Sequence, residues 1–114
     1  MARLRIYVIH RPGAKLPERT RRYLYRYYGY VGETPREQLS EAVSRVRSAV
    51  TRVGGTVTNV RTLSRRVETP EGVRKALYAI VTAKVPDYQV PDLIRMLKEM
   101  QLPNAKIRIE VEGS

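Results

Sequence analysis

Apolar positions along the chain gather into short runs, and one of them frames the rest. Lys75-Ala-Leu-Tyr-Ala-Ile-Val-Thr-Ala-Lys-Val85 is apolar, β-branched or aromatic at almost every position and is closed by Pro86. A strand of that kind expects cover on both faces or a central place in a sheet. Arg3 to Ile9 alternates instead. Leu4, Ile6 and Val8 fall on a face that should meet helices, Arg5, Tyr7 and Ile9 on the other, and Arg11-Pro-Gly13 ends the run. Thr56 to Leu63 is a second strand. Its apolar residues Val57, Val60 and Leu63 stand three apart, which predicts a bulge or an edge position. Lys106 to Val111 alternates again, with Ile107, Ile109 and Val111 inward and Lys106, Arg108 and Glu110 outward.

Two segments carry the helical period. Thr34-Pro-Arg-Glu37 places a capping threonine before a proline at the first helical position and a glutamate at the third, a capping box. Leu39, Ala42, Val43, Val46, Ala49, Val50 and Val53 then form one stripe, Arg45, Arg47, Ser48 and Arg52 face away, and Gly54-Gly55 stops the helix. A second helix is expected from near Pro91, with Leu93, Met96, Leu97 and Met100 buried and Leu102-Pro-Asn104 as its end. Ser64 to Lys75 reads as a polar hairpin connection, with Pro70 and Gly72 supplying the turn.

The order is β-α-β-β-α-β, with an arm after the first strand. Each helix joins two strands that should run parallel, and right-handed crossovers put both helices on one face. That predicts an α+β, ferredoxin-like two-layer sandwich: a four-stranded antiparallel sheet, strands one and three central, its other face free. At 114 residues the chain is one domain, 1–114, with 11–33 as an inserted arm.

Charge changes the picture most. Twenty-two Lys and Arg against eleven acids give +11, with a pI near 10.4. Such a field attracts polyanions: nucleic acid or an acidic membrane surface, with nucleic acid favoured because the cations cluster. Arg11, Lys15, Arg19, Arg21, Arg22 and Arg26 face a single acid, Glu18, between Arg11 and Gly32. Five of the eight tyrosines, Tyr23, Tyr25, Tyr27, Tyr28 and Tyr30, lie in the same arm. Arginine takes phosphate bidentately and tyrosine stacks on unpaired bases, so the interleaving suits RNA. A packing arm laid on the domain or on a protein neighbour is the other reading. Two basic pairs, Arg65/Arg66 and Arg74/Lys75, and the strand-one residues Arg3 and Arg5 complete the candidate RNA-binding set.

Little points to chemistry. The chain has no cysteine, so it offers neither a disulfide nor a thiolate metal site, and its lone histidine, His10, reads as a strand-end residue. Gly54-Gly55 lacks the Lys-Ser/Thr of a phosphate loop, and Ser40, Ser44 and Ser48 share a helix side without a base. No run of eighteen apolar residues predicts a membrane span, and the N-terminus carries no apolar signal region. The expectation is a protein that is not an enzyme, with no cofactor, no metal and no small-molecule substrate.

Across nearly the whole chain outside the arm, the sequence resembles the bacterial-type ribosomal small-subunit protein six family. The resemblance rests on the Leu4–Ile9 alternation with Pro12, on Gly54, Val57, Val60 and Leu63 in a Gly-x-x-Val-x-x-Val-x-x-Leu spacing, and on Arg65-Arg66 followed by Val67 and Pro70. The aromatic third strand, the Pro86-Asp87 stop and the closing strand fall in register. Leu4-Arg5 replaces the family's frequent Tyr-Glu, Val67-Glu-Thr-Pro70 replaces its Leu-Ala-Tyr-Pro, and the arm is an addition. The resemblance implies a non-enzymatic ribosomal protein that binds small-subunit rRNA and pairs with ribosomal protein eighteen. The basic arm on a diverged core points to a mitochondrial ribosome, with a bacterial or chloroplast ribosome as the alternative. A freestanding RRM-like RNA-binding or regulatory module, using Tyr7 and Tyr78, is the competing function.

Overall fold

The computed structural model describes residues 1–11, 34–102 and 104–112. Strand β1 spans Ala2–His10, helix α1 Pro35–Arg52, strands β2 and β3 Thr56–Thr69 and Gly72–Val85, helix α2 Val90–Glu99, and strand β4 Ala105–Glu112. The four strands form one antiparallel sheet in the order β2-β3-β1-β4. This is the ferredoxin-like arrangement, with β1 and β3 central as expected.

Local chemistry accounts for α1. Thr34 Oγ1 accepts the Glu37 N–H at 3.3 Å, satisfying one of the orphan donors of the first turn. At the other end Gly54 takes φ 75°, donating its N–H to the Thr51 carbonyl while the Gly55 N–H reaches Val50 O at 2.9 Å. That pair of bonds is a Schellman stop. Gly55 is required for a second reason. A Cβ there would stand 2.9 Å from both the Val50 and the Val85 side chains, so the backbone of this turn lies directly on the core.

The predicted stripe is the buried one: Leu39, Ala42, Val43, Val46, Ala49, Val50 and Val53 meet Leu4, Ile6 and Val8 of β1 and Ala79, Val81, Ala83 and Val85 of β3. Each fully buried Leu, Ile or Val contributes about 1.5–3 kcal/mol, so this single layer carries most of the hydrophobic stabilisation. Leu93 and Leu97 of α2 are buried with it, while Met96 and Met100, expected in the same stripe, are only half-buried at its rim.

Other expectations are corrected. The stretch 64–75 is not a connection. β2 and β3 run through it and pair in continuous register from Asn59↔Thr82 to Thr69↔Gly72, leaving only Pro70-Glu71 as turn. Proline presets the first turn position, and Gly72, φ 123°, takes the conformation that other residues avoid. Strand β3 takes the central place that was the alternative to cover on both faces. Its buried apolar residues Ala79, Val81, Ala83 and Val85 alternate, and Tyr78 and Ile80, half-buried, lie on the face away from the helices, which no described element covers. Val111 points to the helix side but is 49% exposed, because it lies near the end of an edge strand. The expected bulge is present: register shifts between Val57 and Asn59, and Thr58 Oγ1 donates to the Thr82 carbonyl at 3.2 Å. It places Leu63 opposite Tyr78, on the open face, although Val57 and Val60 face the helices.

Candidate nucleic-acid interface

Beyond Ile9↔Tyr78, where the pairing of β1 with β3 ends, β2 and β3 continue as a two-stranded ribbon. Both of its faces are largely exposed. The register decides where its cations fall. Arg66 stands directly opposite Lys75, on the helix side of the ribbon; Arg65, opposite Ala76, and Arg74, opposite Val67, lie diagonal to each other on the open side. Directly opposed side chains on a strand pair have Cβ atoms about 4.5–5.5 Å apart, and like charges there are destabilising. Of the four, Arg74 is ion-paired with Glu71; Arg65, Arg66 and Lys75 have no acidic partner among the described residues. Arg61 and Lys84, also on the open side, are exposed and likewise unpaired among those residues. From Thr56 to Val85 six cations meet two acids, so the ribbon is a concentrated positive surface.

The other half of the open face is built differently. Glu112 accepts from Arg5 Nε at 2.7 Å and from Arg3 Nε at 3.4 Å. Glu110 accepts from Arg108 at 3.1 Å through one oxygen and from the Tyr7 hydroxyl at 3.3 Å through the other. The Arg108 guanidinium also stands 5.8 Å from the Tyr7 ring centroid, in cation–π range. Two carboxylates from β4 thus occupy three arginines and one tyrosine.

The sequence-predicted set therefore divides. Arg65, Arg66, Arg74 and Lys75 are brought together on one ribbon. Arg3 and Arg5 lie on the same sheet face, some distance off and already ion-paired. Arg11 is exposed just past β1, its N–H bonded to Asn104 O at 2.8 Å. Lys15, Arg19, Arg21, Arg22, Tyr23, Tyr25, Arg26, Tyr27 and Tyr28 lie outside the described residues. Tyr7 and Tyr78 share the open face on adjacent strands, diagonal to each other and two residues out of register. Arg61, Lys84, Lys106 and Arg108 also reach this face and were missed. Strand parity already turned the last two outward without their joining the candidate set, whereas the bulge at Thr58 shifts the parity of β2 and hides Arg61. The serines at 40, 44 and 48 flank a shallow depression on α1 together with Arg47, Thr51 and Arg52. Among the described residues no helix is long and apolar enough to cross a membrane.

No family model matches the chain, and a search of curated proteins finds no significant match. Solved structures do match. The crystal structure of 30S ribosomal protein S6 from Thermotoga maritima superposes with a TM-score of 0.53 at 15% identity, covering 98% of this chain and 89% of that one. At that identity the likeness establishes the fold. The B. subtilis GlnK–ATP complex, at 14% identity and a TM-score of 0.37 over 97% of this chain and 82% of that one, is too distant to support any argument.

Proposed function

We propose that this chain is a structural, RNA-binding component of a small ribosomal subunit. One observation carries the reading: the β2–β3 ribbon sets Arg66 against Lys75 on one face and Arg65 on the other, and none of the three is ion-paired among the described residues. That arrangement opposes folding slightly and favours polyanion binding, since each phosphate contact releases condensed counterions. The fold shared with a 30S ribosomal protein supports the ribosomal setting. Small-subunit rRNA is the proposed ligand, ribosomal protein eighteen the proposed neighbour and a mitochondrial ribosome the proposed location. The arm at 11–33, with its interleaved arginines and tyrosines, is proposed as a second RNA contact. Catalysis forms no part of the reading.

The test is sucrose-gradient sedimentation of the tagged chain from native lysate, with and without RNase. Co-migration with the small subunit, lost on RNase treatment, is the expected result. A peak at the top of the gradient that ignores RNase would remove the ribosomal reading.

A further inference from the structure

On the open face, Tyr78 is the centre of an apolar patch. Ile9 of β1 and Leu63 of β2 stand directly across from it, and Ile80 follows it along β3 on the same face. All four are half-buried, and no described element covers them. Arg61 and Arg65 flank Leu63 along β2, at the diagonal positions about 7–8 Å from Tyr78. Tyr7 lies on the same face, but Arg108 and Glu110 already engage it. Tyr78 has no hydrogen bond and no cation over its ring among the described residues.

We propose that Tyr78 is the stacking site for an unpaired RNA base, with Ile9, Leu63 and Ile80 as its floor and Arg61 and Arg65 holding the adjoining phosphates. The proposal rests on the RNA-binding reading above and narrows its ligand to a single-stranded segment. In a duplex the base faces are stacked on each other and closed to a flat ring, so only a loop, bulge or end can use this patch. An apolar floor with cations along one side fits a nucleotide, whose base is flat and whose backbone is anionic. The bulge at Thr58 matters here, since it turns Leu63 onto this face and sets Arg61 and Arg65 on either side of it.

The experiment measures binding of the full chain to a fluorescently labelled single-stranded oligoribonucleotide of about eight nucleotides and to a duplex of the same length. Tyr78→Leu keeps an apolar side chain on the sheet and removes the ring; circular dichroism confirms that it folds. Tyr78→Leu and Tyr78→Ala should weaken single-strand binding roughly ten- to a hundredfold and leave duplex binding within about twofold, while Tyr78→Phe and Tyr7→Ala stay within about threefold. Equal losses on single strand and duplex, or an equal loss at Tyr7→Ala, would overturn the assignment. If ribbon variants abolish RNA binding while Tyr78→Leu leaves it intact, the ribbon reading stands and this one falls. The same holds if Tyr78→Leu releases a co-sedimenting protein and no RNA, which would mark the patch as a protein seat. A parent chain that binds neither RNA removes both.

Discussion

The open face of the sheet is one surface with two electrostatic designs. At the β1/β4 side, arginines at positions 3, 5 and 108 are met by Glu110 and Glu112, and the second strand of the pair supplies the acids that the first lacks. At the β2/β3 side, Arg61, Arg65 and Lys84 reach this face with no acidic partner among the described residues, and the ion pair found there, Arg74 with Glu71, sits at the turn. The contrast lies in occupancy more than in the number of basic residues. A phosphate arriving at β1/β4 must displace a carboxylate, whereas at the ribbon it displaces only small counterions, which adds a favourable entropy of release. Counting arginines along the sequence would rank Arg3 and Arg5 with Arg65 and Arg66; the pairing separates them.

The largest expected effect comes from stripping the ribbon. Replacing Arg65, Arg66 and Lys75 by alanine should lower RNA affinity on the order of a hundredfold near physiological salt and reduce the slope of log K against log salt by about 2–3. Fluorescence anisotropy titrations across a salt series check both numbers. The slope is the sharper readout, because a misfolded variant loses affinity without yielding a clean linear dependence. An unchanged slope would place the phosphate contacts elsewhere in the chain.

The reciprocal change attacks the comparison from the other side. Glu110→Gln with Glu112→Gln frees Arg3, Arg5 and Arg108 and makes the β1/β4 half resemble the ribbon. RNA affinity at low salt should then rise about three- to tenfold, with little discrimination between sequences. Stability should drop by less than about 1 kcal/mol, because these ion pairs are largely exposed and screened. Anisotropy at low salt, with urea unfolding of the same sample, measures the two effects together. An unaltered affinity would show that this half of the face is never approached by RNA, whatever its charge.

How much of this was legible beforehand follows the same division. The capping threonine, the α1 stripe, the glycine stop and the order of elements were readable, because each is a local rule obeyed by a buried surface. The ribbon was not. Residues 64–77 are largely exposed on both faces, so no alternation of apolar and polar residues marks them as strand; they are paired because the Pro70–Gly72 turn folds one strand back on the other. The basic pairs were visible, yet their opposition was not, since register is set by that turn and by the bulge at Thr58. The difference between Tyr7 and Tyr78 was hidden for another reason. What engages Tyr7 is Glu110, 103 residues away in sequence. Pairings at that separation emerge only when β4 docks beside β1.

The smallest effect tests the register itself. Lys75→Glu sets an acid opposite Arg66 and converts a like-charge cross-strand pair into an opposite-charge one. Stability should rise by about 0.2–1 kcal/mol. It would appear as a higher urea midpoint at unchanged m-value, the signature of a stability change without a change in the surface exposed on unfolding. RNA affinity should fall at the same time, because one cation is lost and its neighbour is neutralised. A substitution that stabilises the fold while weakening binding is what a surface kept under repulsion for a polyanion requires. If the midpoint falls instead, Arg66 and Lys75 do not face each other, and the argument for the ribbon loses its footing. If both stability and affinity rise, the ribbon is no phosphate site and its cations serve solubility alone.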